Sequence, residues 1–178
     1  RQKRIDSGAL PGIEARFEQA AIGYDRLVSE GYVPIGFDHF ALPDDPIAIA
    51  AAEGKVRRNF QGFTEDQSDV LIGFGASAIS QFPDAIIQNE KNPGTYRQII
   101  GEHHLAGRRG LLRDAADQLR ARLIERLLCT GATDASCLSA NAASMASLSR
   151  LEERGLVVRD GNLIAMTDAG RPYARVVA

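Results

Sequence analysis

With 178 residues, 44% hydrophobic and 25% charged, the chain has the balance of a globular protein and length enough for one domain or two small ones. A net charge of −2 offers no strong field for nucleic acid or an anionic membrane, and no apolar run approaches the roughly 20 residues of a membrane span. Cys129 and Cys137 are too few and wrongly spaced for a disulfide framework, a zinc site or an all-cysteine iron–sulfur cluster, so a reducing cytoplasm is the expected location.

The chain opens on Arg1-Gln2-Lys3-Arg4, with neither an initiator Met nor a secretory signal, which points to an N-terminus internal to a longer protein. Residues 14–30 read as a helix. Ile13, Phe17, Ala20, Ala21, Tyr24, Leu27 and Val28 fall on one face, a stripe suited to packing on a sheet, and Gly31 is a left-handed stop. Residues 32–37 read as a short strand, with Pro34 marking an edge. Asp45 caps a helix that begins at Pro46, runs to about Ala52 and ends at Gly54. The apolar run Val70 to Phe74 reads as a buried strand, left through a tight turn over residues 75–80.

Residues 81–110 are broken by Pro83, Pro93-Gly94, Gly101, Gly107 and Gly110, so only a short helix over 95–100 is legible there, and a domain boundary is expected between Gly101 and Gly110. Residues 111–128 read as a second long helix, started near Asp114, with Leu119, Leu123, Ile124, Leu127 and Leu128 on its apolar face and Gly131 as stop. A third helix spans 140–153, with Ser139 as cap and Gly155 as stop. Two apolar runs, 156–158 and 163–166, flank Asp160-Gly161 as a hairpin, and Thr167 or Asp168 caps a last short helix through Tyr173. The pattern is α+β: closing α/β units of a partial barrel over 1–105, then a helical, winged-helix-like C-terminal domain over 106–178.

One stretch, Gly36 to Ser80, is richer in Gly, aromatics and carboxamides than a packed core requires. Its landmarks are Gly36-Phe37-Asp38-His39-Phe40-Ala41, Arg58-Asn59-Phe60-Gln61-Gly62-Phe63-Thr64 and Gly73-Phe74-Gly75-Ala76-Ser77-Ala78-Ile79-Ser80. Gly lets backbone approach a ligand, carboxamides both donate and accept, and polar groups on an aromatic wall suit a small-molecule pocket. The plainer reading is a set of turns between strands. Gly73-x-Gly75 is not a dinucleotide fingerprint, because Ala78 stands where the third Gly belongs.

These runs, with Leu42-Pro43-Asp44-Asp45 and the segment from Asp69, resemble the oxygen-independent coproporphyrinogen III oxidases, radical S-adenosylmethionine enzymes of haem biosynthesis. The resemblance extends over the chain and is densest between Gly31 and Asn89. It implies the C-terminal portion of such an enzyme, whose barrel and 4Fe-4S cluster ligands would precede Arg1. It implies an intact enzyme that oxidatively decarboxylates two propionates of coproporphyrinogen III to give protoporphyrinogen IX. It also implies that Ile79 contacts a second S-adenosylmethionine and that Gln61 closes beside it. Alone, Gln61 reads as a turn stabiliser and Ile79 as core.

Two further residues are candidates for substrate. Arg58, in the pair Arg57-Arg58, could grip a carboxylate with two donors, against the commoner fate of an exposed loop arginine. His39 could bond a propionate or move a proton, against burial with a backbone partner. His103-His104 read as solvated, and Asp44-Asp45 as helix capping rather than acid–base chemistry. No catalytic residue and no metal ligand is assigned to this chain, and it is expected to be inactive by itself. The alternative is a non-enzymatic winged-helix module binding DNA or protein. From Leu111 onward, however, nine arginines face eight carboxylates, too even a balance for a reader of duplex DNA. A lid domain is therefore the preferred reading, with neither nucleic acid nor membrane as partner.

Overall fold

Helix caps and glycine stops, which act over one turn of chain, set most element boundaries. The computed structural model describes residues 6–136 and 142–178. Helix α1, Ile13–Ser29, is followed by Gly31 at φ +89° and by the hairpin of β1, Val33–Ile35, and β2, His39–Ala41. Asp45 accepts the Ile47 amide at 2.9 Å and starts α2, Pro46–Ala52, as the Asp-Pro pair predicts. Two short strands, β3 (Arg57–Arg58) and β4 (Phe63–Thr64), form a second hairpin. A cluster of Ile35, Ala41, Ala48, Ala50, Val56 and Phe63 holds these pieces together.

Next comes an antiparallel sheet of β5 (Ile79–Gln81), β6 (Ala85–Asn89) and β7 (Gly107–Leu112), with α3, Pro93–Gly101, between the last two. Strands β6 and β7 lie in the stretch that was least readable, and β7 pairs with β6 across the residues where a boundary is expected. Leu111 and Leu112 therefore belong to a strand, and α4, Ala115–Thr130, begins only after the Asp114 cap. It ends at Gly131, φ +77°, as expected.

The remaining elements are β8 (Ala132–Asp134), α5 (Ala142–Glu153), β9 (Val157–Asp160), β10 (Leu163–Met166) and α6 (Ala174–Val177). The hairpin at Asp160-Gly161 forms, and β8 adds a third strand that was not foreseen, in the order β8-β10-β9. Leu148, Val157 and Ile164 make this part's core. The Thr167 hydroxyl accepts the Gly170 amide at 3.0 Å, ahead of a 3-10 turn at Arg171–Tyr173. Ser139, the expected cap of α5, lies outside the described residues.

The fold is α+β, every strand pair is antiparallel, and the described residues form no closed barrel. Two expectations are corrected. Residues 70–74 are not a buried strand: Leu71 alone bridges to Gln81, while Ile72 is 59% and Phe74 87% exposed. Side chains rather than a paired strand take up the Gly73 main chain: Ser80 Oγ accepts its amide and Asn89 Nδ2 donates to its carbonyl. The stripe of α1 is not covered by a sheet either, since Ile13 stands 79% exposed and no residue of the helix is buried. Among its contacts are Phe17 with Tyr173 and Tyr24 with Phe40, with ring centroids 5.6 and 5.5 Å apart. No helix among the described residues is long and apolar enough to cross a membrane.

Candidate functional site

Two hairpin turns and one glycine loop carry the candidate residues. The β1–β2 turn holds Gly36 at φ +60°, where a Cβ would sit 2.1 Å from the Phe63 ring. Only Gly leaves room for that ring, and Phe63 becomes the centre of the site. Phe37 meets it edge-on at 5.6 Å and the His39 ring at 5.2 Å. The Arg58 guanidinium lies 5.5 Å from the Phe37 centroid and 5.4 Å from that of Phe63, and Arg175 of α6 sits 5.1 Å from Phe37. Asp38 joins the two sides: it contacts His39 Nδ1 at 2.7 Å and accepts from Arg175 at 3.3 Å.

His39 is therefore not a buried histidine satisfied by backbone. It is exposed and partnered by a carboxylate. Nor is Arg58 an exposed loop arginine: it is half-buried, its Nε is fully covered, and that nitrogen has no hydrogen-bond partner.

The β3–β4 turn is built by Asn59. Its Oδ1 accepts the amides of Gln61 (2.8 Å) and Gly62 (3.3 Å), and its own amide donates to the Gly62 carbonyl (2.9 Å). This turn holds Gln61 out at the surface. Gly62, φ +147°, lets His39 approach, since a Cβ there would lie 3.0 Å from His39 Nε2. At the base of the turn Arg57 Nε donates to Glu125 of α4 at 2.8 Å, and the same carboxylate oxygen accepts the Arg58 amide at 3.0 Å. The hydrogen bond to Glu125 holds the Arg57 guanidinium above its ordinary value, and Asp69, 3.6 Å from Arg57, adds to it.

Ile79, half-buried in β5, is approached by the glycine loop. A Cβ on Gly73 would stand 2.6 Å from the Ile79 carbonyl oxygen and 2.9 Å from its nitrogen, so the main chains touch there because Gly73 has no side chain. The loop is held by backbone bonds, from Asn89 N to Ala78 O (2.9 Å) and from Ser77 N to Glu90 O (2.8 Å), and by side chains. Ser80 Oγ accepts the Gly73 amide (3.0 Å), Tyr96 Oη accepts the Gly75 amide (3.1 Å), and Asn89 Nδ2 donates to the carbonyls of Gly73 and Gly75 (3.1 Å each).

Arg58 and His39 are brought together on Phe63. Gln61 and Ile79 are not so joined: Asn59 and Gln81, each two residues away, line one cavity, but Gln61 and Ile79 do not line it. Phe63, Asp38, Glu125 and Asn89 were not singled out as site-builders. The adjacency of Asp38 to His39 was a usable signal, but the approach of Arg175, 137 positions later, left none.

An iron–sulfur cluster does not fit these residues. The described residues hold no group of three or more metal-ligating side chains, and burial pushes the Cys129 thiol up to about 12, away from the thiolate a cluster needs. Gln61, exposed on a fixed turn, presents a carboxamide that can both donate and accept, whereas the Ile79 main chain lies against that of Gly73.

No family model matches the chain. It is 43% identical over 99% of its length to the oxygen-independent coproporphyrinogen III oxidase of Bradyrhizobium diazoefficiens, and 36% identical over its whole length to that of Cereibacter sphaeroides. It spans about 41% of the length of each. Among solved structures it is similar to coproporphyrinogen III oxidase from Escherichia coli, described as a radical SAM enzyme. That match has a TM-score of 0.89 and 33% identity, over 99% of this chain and 43% of that one.

Proposed function

The chain belongs to the oxygen-independent coproporphyrinogen III oxidase family and matches its C-terminal part, and from this we propose that it forms one wall of that enzyme's pocket and a domain covering it. In the whole enzyme, two propionates of coproporphyrinogen III would become vinyl groups with release of carbon dioxide, giving protoporphyrinogen IX. The observation that carries the reading is agreement in sequence and in shape along nearly the entire chain.

S-adenosylmethionine with a 4Fe-4S cluster would supply hydrogen abstraction. The cluster ligands would lie in a preceding barrel of the same protein. The uncovered stripe of α1 is the natural face to pack on that barrel, as one of its closing units. In this chain, the Gln61 carboxamide would bond S-adenosylmethionine and Ile79 would line its site as apolar wall. Arg58 and His39 would face propionates, with Phe37 and Phe63 as an apolar wall. The wall is residues 1–105. The order α4-β8-α5-β9-β10 over 106–178 reads as a winged helix serving as a lid, in a protein of the cytoplasm.

A chimera joining this chain to the N-terminal part of the Bradyrhizobium diazoefficiens relative tests the reading. Supplied anaerobically with reductant and S-adenosylmethionine, it should convert coproporphyrinogen III, and Gln61→Ala should cut the rate about tenfold or more, the scale of one lost ligand hydrogen bond. The 178-residue chain alone should show no turnover. A chimera that holds its cluster and binds S-adenosylmethionine, yet leaves coproporphyrinogen III untouched, rules the reading out.

A further inference from the structure

The last helix of the chain reaches back to the β1–β2 turn. Ala174 of α6 is buried, and Val177 packs against the core of Leu148, Val157 and Ile164, so the helix is seated on the C-terminal part. Just before it, Tyr173 meets Phe17 of α1. Between these anchors Arg175 turns to the wall. Its guanidinium lies 5.1 Å from the Phe37 centroid, and its Nη2 donates to Asp38 Oδ2 at 3.3 Å. The other oxygen of Asp38 stands 2.7 Å from His39 Nδ1. An ionised carboxylate only accepts, so Nδ1 carries the ring proton and donates to it. Nε2 points instead to Gly62, where an added Cβ would lie 3.0 Å from it, and among the described residues it has no hydrogen-bond partner. Phe63, with Arg58 over it, meets the ring at 84° on a further side.

Arg175 and Asp38 are both exposed, and an exposed ion pair adds little to stability. What this one supplies is direction. Arg175 fixes Asp38 from one side, and a carboxylate fixed beside a histidine sets which nitrogen holds the proton and which way the ring faces. We propose that Asp38 and Arg175 are positioning residues for His39. They keep its proton on Nδ1, so that Nε2, beside the Gln61-Gly62 turn, is the atom at which the ring accepts or releases a proton. The seating of the C-terminal helix thereby sets the chemistry of a side chain at the other end of the sequence. The proposal rests on the functional reading above only for taking His39 as a residue of the site.

The test is nitrogen-15 NMR of the imidazole rings in the 178-residue chain at about pH 8.5, two units above the ordinary histidine value of about 6.5, where an ordinary ring is neutral. His39→Gln identifies the His39 signals among those of His103 and His104. Nδ1 should resonate as a protonated, pyrrole-type nitrogen and Nε2 as a pyridine-type one. Asp38→Ala should move both towards the average of the two tautomers. Arg175→Gln should move them part of the way, and Arg175→Lys, which keeps the charge, less far. Arg154→Gln, at an exposed arginine just after α5, is the control and should move neither. Thermal midpoints of the Arg175 variants should stay close to that of the unaltered chain. A proton found on Nε2 in the unaltered chain overturns the proposal. So does an Arg175→Gln spectrum that matches the control, or a nitrogen shift that comes only with a large fall in the midpoint, which would mark the pair as structural. No substrate or cofactor is needed, so failure here leaves the family reading standing.

Discussion

Arg58 and His39 are joined through one ring: Phe63 has the Arg58 guanidinium 5.4 Å and the His39 imidazole 5.2 Å from its centroid. The ring is itself core, 9% exposed and packed with Ile35 and Val56. The wall's stability and the placement of its two polar side chains therefore share one residue.

Phe63→Ala should cost about 3 kcal/mol, as buried Phe truncations do. It should also move the His39 ring resonances, because the adjacent ring current is lost. Urea unfolding and proton NMR check the two parts. A loss under about 1 kcal/mol would mean that Phe63 does not organise the wall.

Gly73→Ala should be destabilising although the glycine is not at positive φ. The new Cβ would meet main-chain atoms of Ile79 at under 3 Å, and a strand cannot yield as a flexible side chain can. A cost of about 1–3 kcal/mol is expected, the range for overpacking, read from the thermal midpoint. Gly75→Ala is the contrast. Its added carbon would meet nothing within 4 Å, so its cost would come from φ +109° alone.

Glu125→Ala should uncouple α4 from the β3–β4 hairpin, because one carboxylate oxygen serves both Arg57 Nε and the Arg58 amide. Both side chains are partly solvated, so the cost is put at about 1–2 kcal/mol, below that of a fully buried pair. Glu125→Gln, which keeps an acceptor, should lose less. Denaturant midpoints that do not rank the variants in this order would contradict the arrangement.

Cys129 should resist thiol reagents at pH 8 in the native protein and react once urea is added. Burial first, then the neighbouring Glu125, pushes its thiol up to about 12 from 9.0. The folded state thus keeps the proton that the unfolded chain releases, so this contribution is intact below pH 9.0 and fades as pH rises towards about 12. In a Cys137→Ser background, Cys129→Ala should remove that part of the alkaline decline, as followed by unfolding at a series of pH values.

Local signals were legible. Asp45-Pro46, Asp114, Gly131, Gly155 and Asp160-Gly161 start, stop or turn the chain where the sequence predicts, because caps and left-handed glycines act within one turn of backbone. The short strands β2 to β5 were not legible, β5 starting inside the turn read over 75–80, and neither were β6, β7 and β8, whose stability comes from partners elsewhere. Ala85 pairs with Leu112, and Ala132 with Ala165. The apolar run at 70–74 misled for the same reason: periodicity measures hydrophobicity, not whether a neighbour is there to cover it.

For the candidate site, the sequence alone determined the family resemblance and the residue types, while the strand read over 32–37 stops at Ile35 and Gly36 opens the turn to β2. Resemblance and residue types are properties of the linear chain. Tertiary structure alone decided that Arg58 lies against Phe37, that Glu125 ties both hairpin arginines to α4, and that Arg175 closes on Asp38. Each of these joins charges or rings separated by many residues of chain, and a linear pattern cannot encode which distant side chains will share one volume.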